Sequence, residues 1–115
     1  MSFLYICSAM LKLNGKIKKH GLQLNDNNVE LWLDIELEDN YGIIAIITGS
    51  TNETDENNFG YRVKRVLEIL EVTDLNDVDG KPVRALFDAP ENDVPLGVGI
   101  IGLQNFLTND TFLTK

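Results

Sequence analysis

The chain has 115 residues, of which 43% are apolar and 24% charged. That length and balance fit one globular domain over residues 1–115 with its own core, and exclude a disordered or fibrous chain. Ten Lys and Arg against eighteen Asp and Glu leave a formal net charge of −8, a field that repels nucleic-acid phosphates and anionic lipid and attracts cationic surfaces, so direct nucleic-acid binding is not expected.

The N-terminal run Phe3-Leu4-Tyr5-Ile6-Cys7 opens the chain. It lacks the basic start of a secretory signal, and Lys12, Lys16, Lys18 and Lys19 follow where a cleavage site would fall. The run predicts a first strand over residues 3–11. Cys7, the single cysteine, has no partner for an internal disulfide, so a reducing compartment and a cytoplasmic location are expected. No apolar stretch reaches the ~18 residues that cross a bilayer, and no membrane contact is expected. His20, the only histidine, stands beside Lys18, Lys19 and Gly21 and reads as a solvated loop residue.

Residues 29–38 alternate strictly: Val29, Leu31, Leu33, Ile35 and Leu37 on one side, Glu30, Trp32, Asp34, Glu36 and Glu38 on the other. A period of two is the mark of a half-buried antiparallel strand. Asp39, Asn40, Tyr41 and Gly42 then form a hairpin turn. The β-branched run Ile43-Ile44-Ala45-Ile46-Ile47-Thr48 reads as a strand that is central in the sheet or buried on both faces.

Residues 49–58 form a polar loop in which Asp55, Asn57 or Asn58 can cap the next element. Phe59, Val63, Val66, Leu67 and Leu70 fall at helical spacing with charged residues opposite, which predicts one amphipathic helix over residues 58–71. Residues 73–82 are a turn region, and residues 83–87 and 96–103 two further strands. The fold class is therefore α+β, an antiparallel sheet of about five strands with one helix packed on it, in the order β-β-β-α-β-β.

Two motifs bear on chemistry. Gly97-Val98-Gly99-Ile100-Ile101-Gly102 matches a dinucleotide fingerprint, but too few residues follow to supply the helix, second strand and ribose-binding acid, so a glycine-punctuated strand is preferred. Asp74-Leu75-Asn76-Asp77-Val78-Asp79-Gly80 looks like a calcium loop. Its glycine stands seventh where sixth is needed, and Ala85 occupies the place of the bidentate glutamate. One Cys and one His cannot assemble a zinc site or a nucleophilic dyad. Neither cofactor, metal nor catalysis is expected.

The charge is also uneven. Residues 1–20 carry four lysines and no acid, and between Lys19 and Arg62 there is neither Lys nor Arg, only Asp26, Glu30, Asp34, Glu36, Glu38, Asp39, Glu53, Asp55 and Glu56. The bland explanation is solubility. The functional one is an acidic surface made by Glu30, Asp34, Glu36, Glu38, Asp39, Glu53, Asp55 and Glu56, with Trp32 as an aromatic anchor for a basic partner protein. Trp32 covered by a loop, a terminus or a second copy of the chain is the competing reading.

Certain stretches together resemble a family of small proteins of unassigned function encoded by tailed phages and prophages. They are Lys19-His20-Gly21, the segment around Val66-Leu67-Glu68-Ile69-Leu70, Val78-Asp79-Gly80-Lys81-Pro82-Val83-Arg84, and residues 100–107. Where members of that family carry a glycine-rich segment after the second strand, this chain has Ile43 to Ile47. The resemblance implies a phage origin and residence in an infected bacterial host, and no catalytic residue is carried over. Three roles follow as expectations. The first is a binding protein for a basic host protein, in its sharpest form a nucleic-acid-mimicking inhibitor of a defence enzyme. The second is a homo-oligomer that holds a nucleotide through Arg62, Lys64, Arg65 or Arg84, and the third an assembly or replication accessory.

Overall fold

A computed structural model describes residues 10–90 and 99–114 of the chain. Six strands and one helix follow one another as β1 (Met10–Asn25), β2 (Asn28–Leu37), β3 (Gly42–Ser50), α1 (Phe59–Leu70), β4 (Pro82–Pro90), β5 (Ile100–Asn105) and β6 (Thr111–Leu113). A 3-10 turn, Leu75–Asp77, precedes β4. The sheet is antiparallel throughout in the order β3-β2-β1-β4-β5-β6, with α1 packed on one face. The α+β architecture anticipated above is the one observed, with one strand more: β6 is three residues long, too short to leave a periodic signal.

β1 differs most from expectation. Residues 3–9 of the proposed first strand lie outside the described residues, and the strand runs on through the basic segment to Asn25. Its N-terminal half turns Leu11, Leu13, Gly15 and Ile17 inward, opposite Phe87, Ala85 and Val83 of β4 and Ile35 of β2. A bulge between Ile17 and Lys19 then reverses the parity, so His20 lies opposite buried Leu33 and Gly21 opposite Trp32. His20 is thus a strand residue and not a loop residue. Its side chain is only 17% exposed, and Nδ1 lies 2.8 Å from Asp79 Oδ1.

The same bulge receives the turn before β4. The Gly80 amide donates to the Ile17 carbonyl, and the Ile17 amide donates to the Lys81 carbonyl. The calcium-like segment is therefore structural: the Asp74 carboxylate accepts from the Asn76 amide at 2.8 Å and caps the 3-10 turn.

Asp26 and Asn27 link β1 to β2 with positive φ at both positions (52° and 70°), the conformation of a two-residue hairpin turn whose twist matches that of the strands. Asp39 and Asn40 repeat it between β2 and β3 with φ of 58° and 63°. The alternation in β2 resolves as read: Leu31, Leu33, Ile35 and Leu37 are buried, while Glu30, Trp32, Asp34 and Glu36 are half-buried on the outer face.

β3 was expected at the centre of the sheet or covered on both faces, and it is instead an edge strand. Ile46 is buried under the helix side, whereas Ile43, Ala45 and Ile47 face outward and are exposed. A continuous β-branched run signals a strand, yet it does not say how many faces are covered, and among the described residues cover comes from one side only.

Helix α1 starts where Asn58 Oδ1 accepts from the Tyr61 amide at 3.0 Å. It ends at Glu71, which takes the left-handed conformation at φ 57° and returns the Val72 amide to the Leu67 carbonyl. Val66, Ile69 and Leu70 face the sheet and meet Leu31, Leu33, Ile35, Val83, Phe87, Leu103 and Phe112 in one core.

Candidate partner-binding surface

The nine residues proposed for partner binding fall in three places. Glu30, Trp32, Asp34 and Glu36 share the outer face of β2. Glu38 and Asp39 are exposed in the β2–β3 turn, and Glu53, Asp55 and Glu56 belong to the segment between β3 and α1. That segment lies at the opposite end of β2 from the turn, because Thr51 ties it to the strand's start: the Thr51 amide donates to the Val29 carbonyl, and Thr51 Oγ1 accepts from the Val29 amide. At ~3.3 Å per residue the two ends stand more than ~20 Å apart. The carboxylates do not form one uninterrupted face.

Between those ends the chain answers much of its own charge. Lys16 Nζ lies 3.7 Å from Glu36 Oε1, and Lys19 stands opposite Asp34 in the β1–β2 ladder. Glu30 accepts from Gln23 Nε2 at 3.0 Å and from Asn25 Nδ2 at 3.4 Å. Glu53 is structural: Oε2 lies 2.8 Å from Arg62 Nη2, while Oε1 accepts from the Ser50 amide at 2.9 Å. Asp55 accepts from the Asn57 amide in a local turn. Among the described residues, Asp26, Glu38, Asp39, Asp55 and Glu56 in the stretch between Lys19 and Arg62 are exposed carboxylates outside every ion pair, as are Glu71, Asp74, Asp77 and Asp88 further along the chain. Asp26, not among the nine, sits in the β1–β2 turn at the Asp55–Glu56 end. Its asymmetric turn chemistry, Asp-Asn between two strands, was the signal in the sequence that could have placed it there.

Trp32 is covered from within its own sheet. Its indole lies on Gly21, its cross-strand partner, so closely that a Cβ added there would stand 2.6 Å from Cζ2. On its other side is Ile47 of β3. The residue as a whole remains half-buried.

Of the cationic side chains considered for a nucleotide, Arg62 and Arg65 share the wall of one small cavity of about 130 Å³ with Tyr61 and Phe112, but both are already tied to the chain's own acceptors. Arg62 Nε donates to the Asn57 carbonyl at 2.8 Å and Nη1 to the Thr114 carbonyl at 3.2 Å, and its guanidinium lies 6.0 Å from the centre of the Phe112 ring. Arg65 reaches Asp110 at 2.7 Å and Glu68 at 2.6 Å, and donates to the Thr111 carbonyl. Hydrogen bonds to Asp110 and Glu68 hold its guanidinium pKa above even the usual arginine range. Arg84 donates to Gln104 and to the Thr108 carbonyl, beside Phe106. Lys64 is exposed and 3.9 Å from Glu68. The three arginines pin β6 and the adjoining loops to the helix and to β4.

An open cleft of about 410 Å³ lies at the turn end of the sheet, with Lys16, Glu36, Pro82 and Phe106 in its wall. Its charged pair is already joined. Among the described residues no three His, Cys, Asp or Glu side chains are grouped to hold a metal ion, and no helix is long and apolar enough to cross a membrane. Fold and surface together define a small α+β open-sheet domain with exposed carboxylates at both ends of β2. Comparison with protein-family models, curated proteins and solved structures gave no match to this chain.

Proposed function

We propose that the protein is a phage-encoded, non-catalytic binding protein whose acidic hairpin region engages a basic surface on a host protein, in its sharpest form as a nucleic-acid mimic that inhibits a bacterial defence enzyme. The observation that carries this reading is the segregation of charge. No Lys or Arg occurs between Lys19 and Arg62, and Asp26, Glu38, Asp39, Asp55 and Glu56 are exposed on that stretch outside any ion pair. Such charges act over a Debye length of ~8 Å at physiological salt. They would steer association with a cationic partner and set its salt dependence more than its final affinity. Trp32, with Glu30, Asp34 and Glu36 around it, would supply the fixed aromatic contact at the centre.

The test compares the native chain with a variant carrying Asp39→Lys, Asp55→Lys and Glu56→Lys, all at exposed positions, as baits in parallel pull-downs from infected cells at low and high salt. A host protein retained by the native chain at low salt, released at high salt and absent from the variant supports the reading. Displacement of that protein by double-stranded DNA supports the mimic. Equal capture by both baits at both salt concentrations overturns it.

A further inference from the structure

Sheet edges offer unpaired N–H and C=O groups, and proteins ordinarily blunt them with lysine, proline, bulges or brevity. β6, at one edge, is short. β3, at the other, uses none of these devices over residues 42–47: Gly42-Ile43-Ile44-Ala45-Ile46-Ile47 carries no charge and no proline, and its ladder with β2 is regular until the bulge at Thr48. Ile43 is 54% and Ile47 42% exposed on the outer face, with Ala45 between them and Trp32 beside Ile47. Among the described residues no strand pairs with this edge.

What fits an edge of this kind is legible in its own order of residues. Ile43-Ile44-Ala45-Ile46-Ile47 reads the same in both directions about Ala45. Two antiparallel copies related by a two-fold axis at Ala45 would therefore set Ile43 against Ile47 of the second copy, Ala45 against Ala45 and Ile44 against Ile46, with every side chain on the same face as its partner. The interface is isologous and closes at two subunits.

We propose that β3 pairs with β3 of a second copy of this chain in that register, joining two six-stranded sheets into one. The outer faces of the two copies then share an aliphatic strip of Ile43, Ala45 and Ile47 from each, extended by Trp32. The net charge of −8 does not forbid it. The seam itself is uncharged, and the two β2 strands stand three strand spacings apart, ~14 Å, beyond the ~8 Å over which charges act at physiological salt. At low ionic strength the screening length, ~30 Å at 0.01 M, exceeds that separation and the two acidic copies repel, so added salt strengthens the association, the reverse of its effect on the acidic surface above.

Sedimentation over a concentration series tests this with four chains: native, Ile43→Lys, Ile47→Glu and Ala45→Lys, the folded state of each being checked by the fluorescence of Trp32. The native chain is expected to reach twice its monomer mass, at lower concentration when salt is raised. Ala45→Lys, which sets two like charges face to face, is expected to remain a monomer. Ile43→Lys and Ile47→Glu are each expected to dimerise at least tenfold more weakly alone, and to recover when mixed, because the register places the new lysine opposite the new glutamate. A native chain that is monomeric at every concentration, a dimer that survives Ala45→Lys, assembly beyond the dimer, or a mixture that does not recover would each overturn the proposal.

Discussion

Trp32 rests its indole on the bare backbone of Gly21, across the β1–β2 ladder, with room for no side chain between them. Gly21→Ala must push the ring outward or part the two strands, at a cost of about 1–3 kcal/mol for overpacking. Because Trp32 is the only tryptophan, its emission reports the change directly. A red-shifted spectrum with a lower urea midpoint is expected, and an unchanged spectrum would show that the contact is not made in solution.

Asn105 is buried and satisfies four groups at once. Nδ2 donates to the Ile69 carbonyl at the end of α1 and to the Glu71 carboxylate, and Oδ1 accepts from the amides of Leu107 and Thr108. Asn105→Leu should lower stability by at least about 2 kcal/mol, since each orphaned buried group costs about 1–3 kcal/mol. Asn105→Asp keeps the acceptor and loses the donor. Protonated, it can still donate to the Ile69 carbonyl; ionised, it faces Glu71. That variant should therefore be most stable at acid pH and weaken as its carboxyl titrates, which thermal melts across pH would read.

Arg65 couples α1 to the turn before β6 through Asp110 and the Thr111 carbonyl. Its pKa is raised above an already high value. A raised pKa gives stability that is complete below the unfolded value and lost only as pH climbs through the folded one, so the arginine's own titration adds no pH dependence short of strong alkali. Arg65→Met should cost about 1–3 kcal/mol, and Arg65→Lys should recover only part, because an ammonium cannot fork to two carboxylates. Chemical denaturation of the two variants side by side checks the order. Equal stability of all three chains would remove the pin from the account.

The turn between β1 and β2 places Asn27 at φ 70°, which glycine adopts without a Cβ penalty. Asn27→Gly creates the Asp-Gly pair favoured in this turn and should raise stability by roughly 0.5 kcal/mol or more, seen as a melting temperature a few degrees higher. A lower melting temperature would mean that the side chain of Asn27 contributes something its backbone does not reveal.

How much of this was legible in the sequence varies along the chain for physical reasons. β2 could be read face by face because its alternation is unbroken over Val29 to Leu37. β1 also alternates, but the bulge after Ile17 shifts its inward positions from odd to even numbers, so the periodicity cancels over the whole segment and His20 passes for a loop residue. The Asn58 cap and the inward stripe of α1 depend on neighbours within one or two turns and were readable. Arg62, Arg65 and Glu53 were not, because their partners are remote along the chain or lie in loops. The acidic surface suffers the same limit: composition counts carboxylates, whereas only the strand register shows that Lys16 and Lys19 stand against two of them.

The strand order β3-β2-β1-β4-β5-β6 makes two local meanders that meet along a single seam, residues 10–16 of β1 against residues 82–90 of β4. Each meander can zip from its own turns, but the seam joins segments more than sixty positions apart in the chain, and the loss of chain entropy in closing it precedes most of its reward. Folding should accordingly be limited by the search for that one junction, and any ligand or second chain that steadies the first three strands would speed the search without touching β4.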